Sequence, residues 1–142
     1  MQSSARNQFS GVIGQVTAGA VNDEVTIKTD GGAEIVATVT HDSATRLGLR
    51  TGAKAVALIK ATSVIVMVGA DPGKVSARNV VVGKVTALTK GAVNADVTIT
   101  DSNGLSVSAI ITNSSVDRLG LSVGSAAAAM FKASSVIVGT DA

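Results

Sequence analysis

Lys60-Ala61-Thr62-Ser63-Val64-Ile65-Val66 returns as Lys132-Ala133-Ser134-Ser135-Val136-Ile137-Val138, 72 residues further along the chain. The same offset carries Ser4-Ala5-Arg6-Asn7 to Ser76-Ala77-Arg78-Asn79 and Gly19-Ala20-Val21-Asn22 to Gly91-Ala92-Val93-Asn94. It also carries Arg46-Leu47-Gly48-Leu49 to Arg118-Leu119-Gly120-Leu121. No gap separates any two of these blocks, so the chain is a tandem duplication, and the period has to be read before domains are counted. The 142 residues alone would suggest one ordinary domain. The repeat instead divides them into a first domain, residues 1–70, and a second, residues 71–142. Gly69-Ala70-Asp71-Pro72-Gly73, a turn-forming cluster with the only proline, marks the joint. A module of about 70 residues has a marginal core of its own. Burial between modules and between chains is therefore a physical expectation.

Within each copy the pattern is mostly strand. Ser10–Thr17 and Val21–Lys28 read as a strand pair, with Val25 and Ile27 alternating with polar neighbours as Val97 and Ile99 do in the second copy. Asp30-Gly31-Gly32 and Asn103-Gly104 supply the positive-φ positions of a tight hairpin turn. Ala33–Thr40 follows as a third strand with Ile35, Ala37 and Val39 on one face. One or two helical turns come next, from Asp42 to Leu47 and from Ser114 to Leu119, with Thr40 or Asp42 as cap and Gly48 as terminator. Ala55–Lys60 and Ser63–Val68 complete the copy. Five short strands and one helical turn predict an all-β chain of two tandem OB-like five-stranded barrels.

Composition bounds the function. Hydrophobic residues make up 46% of the chain, drawn from Val, Ala and Ile, with two Phe and no Tyr or Trp. Small β-branched side chains suit thin, tightly closed sheets. Twelve basic residues against ten acidic give a net charge of +2, too balanced for a polyanion-binding footprint. Single-stranded nucleic acid also needs aromatic stacking platforms, which this composition lacks. Absence of cysteine removes disulfides, thiolate metal sites and thiol nucleophiles. The one histidine, His41, is replaced by Asn113 in the second copy, too little for a triad or a histidine metal site. It reads as a polar residue at a strand end. No Walker A pattern and no strand-following G-x-G-x-x-G is present. Neither an enzyme, a metal-cation site nor an organic cofactor is expected.

Ala53–Ala70 and Val123–Gly139 are rich in apolar residues, but Lys54 and Lys60 interrupt the first and Lys132 the second. Neither is a clean run of about 20 apolar residues, so no membrane span is expected. The N-terminus shows no apolar signal core, which predicts a cytoplasmic protein.

What recurs is a set of hydrogen-bond donors without acids. Ser4 and Arg6 return as Ser76 and Arg78, Thr40 and Ser43 as Thr112 and Ser115, and Lys60 with Thr62 as Lys132 with Ser134. Hydroxyls, fixed cations and strand-edge amides together suit an anion that only accepts hydrogen bonds. The plain alternatives are a snorkelling strand-end lysine, structural ion pairs for the two arginines, and simple turns for the G-A-V-N segments.

These blocks, S-A-R-N, G-A-V-N-[AD]-[ED]-V, L-x-L-x-x-G and K-A-[TS]-x-V-I-[LV], resemble the Mop domain, and the whole chain resembles the tandem di-Mop molybdate-binding proteins, or molbindins. The resemblance implies an OB-like barrel, assembly of tandem chains into a homotrimer, and molybdate or tungstate held at subunit interfaces. By motif, one class of site would use Ser4, Arg6, Thr40, Ser43, Lys60, Ala61 and Thr62. Its repeat would use Ser76, Arg78, Thr112, Ser115, Lys132, Ala133 and Ser134. A second class would use donors of Gly19, Ala20, Val21 and Asn22 and of Gly91, Ala92, Val93 and Asn94. Asp42, replaced by Ser114 in the second copy, brings a negative charge toward the first class. The implied function is cytoplasmic molybdate storage and homeostasis, reversible and without turnover. The alternative is an oxyanion-sensing or structural assembly module acting on a transporter or regulator. Molybdate has no proton to donate at neutral pH, so a donor-only site satisfies it, while protonated phosphate would turn an O–H toward donors.

Overall fold

The computed structural model describes residues 1–69 and 71–140. Alternation of buried and exposed side chains builds the first strands: β1 (Asn7–Thr17), β2 (Asn22–Thr29) and β3 (Glu34–Thr40) form an antiparallel meander. Ile13 faces Ile27, and Ile27 faces Ile35, so one side of the meander is a continuous aliphatic layer. All three are fully buried with Val25 and Ala37. The period of two fixes the register, since a one-residue slip would send that layer to solvent. The hairpin between β2 and β3 uses Gly32 at φ +93°, and its counterpart uses Gly104 at φ +89°.

Thr40 ends β3 and caps α1 (His41–Leu47), its hydroxyl accepting from the Ser43 amide. Asp42 thus sits inside the first turn and is not the cap. Gly48, at φ 66°, ends the helix by returning its N–H to Ala44 and Thr45. β4 (Lys54–Ile59) then pairs with β1, a 3-10 turn spans Ala61–Ser63, and β5 (Ile65–Met67) follows. The second copy repeats the order as β6 (Asn79–Lys90), β7 (Asn94–Thr100), β8 (Ser106–Thr112), α2 (Asn113–Leu119), β9 (Ala126–Phe131), a 3-10 turn at Ala133–Ser135 and β10 (Ile137–Gly139). β1 starts earlier than the sequence pattern suggests. Lys60 lies outside the strand, because the chain turns there into the 3-10 segment.

Each unit is a five-stranded sheet, ordered β10-β4-β1-β2-β3 in one and β5-β9-β6-β7-β8 in the other. The last strand of each repeat therefore completes the sheet of the other repeat. β10 pairs with β4 through Ile137 opposite Leu58, and β5 pairs with β9 through Ile65 opposite Met130. The edge strands β10 and β3 touch in the first sheet, as do β5 and β8 in the second, curling each toward a barrel. The compact units are accordingly Met1–Ile59 with Lys132–Ala142, and Lys60–Phe131. The division at residue 70 is a division of the repeated sequence; the compact bodies exchange their closing strands across it.

The first unit's core is Ile13, Val25, Ile27, Ile35, Ala37, Ala57 and Ile59, sealed by Val136 and Val138. The second uses Val85, Val97, Ile99, Val107, Ala109, Ala129 and Phe131, sealed by Val64 and Val66. No helix among the described residues is long and apolar enough to cross a membrane.

Candidate functional site

Strand register decides which donors meet. Asn22 opens β2 opposite Thr40 at the end of β3, and the His41 amide donates to the Val21 carbonyl at 2.9 Å. The turn Gly19–Asn22 and the pair Thr40–Ser43 therefore share one end of the first unit. The second unit repeats this: Asn94 is opposite Thr112, and the Asn113 amide donates to Val93 at 2.8 Å. Val21 and Val93 stand out from these turns, 73% and 70% exposed.

At the head of each helix two hydroxyls are already coupled. Thr40 Oγ1 accepts from the Ser43 amide at 3.1 Å and donates to Ser43 Oγ at 2.7 Å, which leaves the Ser43 hydroxyl proton to point elsewhere. Thr112 and Ser115 make the same pair at 3.1 and 2.8 Å, and Arg118 reaches Ser115 Oγ at 3.4 Å.

Lys60 and Lys132 each precede a 3-10 turn with extended backbone, their carbonyls accepting from Ser63 and Ser135 at 2.9 Å. Both side chains are exposed, as are Thr62 and Ser134, while Ala61 and Ala133 are buried beneath the turn. Neither ammonium has an ion-pair partner among the described residues. The turn at Ala133 packs on β3, and the turn at Ala61 packs on β8. Consequently the first unit holds Ser4, Arg6, Thr40 and Ser43 with Lys132, Ala133 and Ser134. The second holds Ser76, Arg78, Thr112 and Ser115 with Lys60, Ala61 and Thr62. Motif order along the chain groups Lys60 with Thr40; compact units group it with Thr112.

Ser4, Arg6, Ser76 and Arg78 are exposed just before β1 and β6. The residue behind each arginine is buried: Asn7 donates its side-chain amide to the Ile59 carbonyl at 3.2 Å, and Asn79 occupies the matching position opposite Phe131. Asn7 thereby fastens the start of the first barrel, a structural role for the end of S-A-R-N.

The repeats part company beneath the G-A-V-N turn. Asp23 follows Asn22 at an inward position of β2 and is 3% exposed. Its carboxylate accepts from the Gly19 amide at 3.1 Å and from His41 Nδ1 at 3.0 and 3.2 Å. The Gly19 hydrogen bond and the histidine hold this carboxyl below the usual carboxylate range, against the upward push of burial. In the second copy Ala95 takes the aspartate's place and Asn113 the histidine's. There the Gly91 amide donates to the Asn94 carbonyl at 2.7 Å, and Asn113 Nδ2 donates to the Gly91 carbonyl at 2.9 Å. Asn113 Oδ1 is buried without a partner. Both turns need glycine for closeness: a Cβ would lie 2.2 Å from the Asn22 carbonyl oxygen at Gly19 and 3.0 Å from that of Asn94 at Gly91.

The sequence pattern gives Asp23 no role and makes His41 only a polar strand end, whereas the two are joined beneath the turn. The available signal was their joint disappearance from the second copy. Among the described residues no three His, Cys, Asp or Glu side chains gather as metal ligands would.

The TOBE domain matches residues 3–66 and 75–138. The chain is 44% identical over 138 residues to the molybdenum transport protein ModE of Herbaspirillum seropedicae, covering 97% of this chain and 51% of that protein. It is equally similar, 44% over 138 residues, to the molybdenum-pterin-binding protein MopA of Rhodobacter capsulatus, covering 97% and 52%. The chain thus spans about half the length of these curated relatives. A crystal structure of the cytoplasmic molybdate-binding protein ModG, with molybdate bound, superposes at a TM-score of 0.92 with 41% identity, covering 99% of both chains.

Proposed function

The chain belongs to the TOBE-domain family, with two copies of the domain, and from that premise we propose that it binds molybdate, or tungstate, reversibly and without catalysis. The observation that carries this reading is the donor set: each unit holds an exposed lysine with no carboxylate partner among the described residues and a hydroxyl pair at a strand end. A fixed cation and outward hydroxyls satisfy a dianion that offers no proton of its own. Likeness to a molybdate-bound protein along 99% of the chain supports the same ligand. The two classes of site are Ser4, Arg6, Thr40, Ser43 and the K-A-[TS] turns with their repeats, and the two G-A-V-N turns. Their proposed place is at subunit interfaces of a homotrimer, which fits the exposure of Val21 and Val93. Storage and homeostasis of the oxyanion in the cytoplasm is the physiological role inferred.

A second reading draws on the relatives' length. The transcriptional regulator ModE of Yersinia pestis is 36% identical over 142 residues, which make up 53% of that protein. On this reading the pair of domains senses the oxyanion for a transporter or regulator.

Isothermal titration with molybdate, tungstate, sulfate and phosphate tests both, since each requires binding. Saturable heat with the first two alone is expected. Lys60→Ala and Lys132→Ala should each weaken molybdate about 10- to 100-fold at the site affected, the size of one charge-assisted hydrogen bond. Silence toward all four anions from folded protein would overturn the proposal.

A further inference from the structure

The two G-A-V-N turns face an incoming anion with different internal partners. At the second turn the Gly91 amide is tied to a neutral carbonyl, that of Asn94. At the first, the Gly19 amide is tied to the Asp23 carboxylate, itself fastened by His41. A hydrogen bond to a carboxylate is roughly twice as strong as one to a neutral acceptor. An oxyanion must therefore displace more, or settle beside a buried negative charge. Asp42, exposed one residue beyond His41, is a further carboxylate of the first copy, the matching residue being Ser114. His41 returns positive charge only when protonated, and is 51% exposed.

We propose that Asp23 is an internal competitor for the first turn, making Gly19–Asn22 the weaker oxyanion site and Gly91–Asn94 the stronger. Filling is therefore ordered, second turn before first, over a wider concentration range than two equal sites would cover. The inference rests on the oxyanion reading above and deepens it: the specificity-determining residues are Asp23 and His41, which touch the turn from below.

Backbone amide resonances of Gly19–Asn22 and Gly91–Asn94, followed while molybdate is added to the full chain, test this directly. Gly91 should reach half-saturation at a concentration about tenfold lower than Gly19, the scale of a charge-assisted contact. Asp23→Ala with His41→Asn copies the second repeat and should bring the midpoints together. Asp23→Asn, which keeps the shape and removes the charge, should bring them most of the way. Ala95→Asp with Asn113→His should weaken the second turn by a similar factor. Equal midpoints in the wild type, or midpoints unmoved by the swaps, would overturn the inference. So would binding that shifts other amides and leaves both turns still, although the oxyanion reading would then survive. No binding at all would overturn both.

Discussion

Beneath equivalent turns, one repeat places an aspartate and a histidine and the other an alanine and an asparagine. In the first, the Asp23 carboxylate accepts from the Gly19 amide and from His41 Nδ1, and the three groups close a small network at the barrel end. In the second, Asn113 secures the turn through the Gly91 carbonyl but leaves its own oxygen buried and unmatched. A buried orphan acceptor costs about 1–3 kcal/mol. The first end is thus better satisfied internally, and the second is freer of negative charge. The same backbone turn is backed either by a charged, hydrogen-bonded pair or by a neutral asparagine, and two side chains choose between them.

The comparison can be pressed hardest in the cores. Ile59 and Phe131 are equivalent and both fully buried, so the second barrel relies on a larger single side chain among small alanines. Phe131→Ala should cost about 3–5 kcal/mol, read as a fall in the urea midpoint at unchanged slope. A loss under about 1 kcal/mol would show that the alanine-rich strand closes the core by itself.

Acid separates the turns next. Because the Asp23 pKa is lowered by folding, its contribution is present above the ordinary carboxylate pKa and disappears as pH falls through the lowered value. Thermal melts from about pH 5 to about pH 2 should show the wild type losing its advantage over Asp23→Asn progressively. Parallel curves would mean the carboxylate adds nothing to folding. The second turn, with Ala95, has no such titration.

Smaller effects test what the repeats share. Thr40→Ala and Thr112→Ala each remove a helix cap and should cost about 1 kcal/mol apiece, in equal measure. A marked inequality would mean the Arg118 contact to Ser115 reinforces the second cap. Smallest is Lys90→Ala, which breaks an ion pair with Asp117 that has no counterpart in the first repeat, where Ala18 and Thr45 stand. With side chains 44% and 68% exposed, the change should stay within about 1 kcal/mol and fade with salt.

Much of the fold was legible because the period of two in Val25, Ile27, Ile35 and Ala37 admits one inward face, and because Gly48 and Gly120 announce the helix ends. The strand exchange was not. Ser63–Val66 and Ser135–Val138 are identical in sequence, so either can complete either sheet, and no local pattern says which does. For the same reason the motif-ordered grouping of Lys60 with Thr40 could not have been sorted from its exchange partner. The Asp23–His41 contact was hidden by 18 residues of separation that only the β2–β3 register closes. Nothing in the repeated S-A-R-N block tells Asn7 from Ser4 and Arg6, yet those two are exposed while Asn7 is buried and donates to the Ile59 carbonyl.

The exchanged strands also bear on the history of the gene. Once each copy finishes the sheet of the other, deleting one copy strands its sibling with an open row of amides and carbonyls along β4 or β9, an edge that recruits foreign strands. The survivor must fold its own tail back or borrow one from another molecule. Duplication with crossed endings works as a ratchet: simple to enter by copying, hard to leave by loss, and able to hold two diverging halves together while one of them changes.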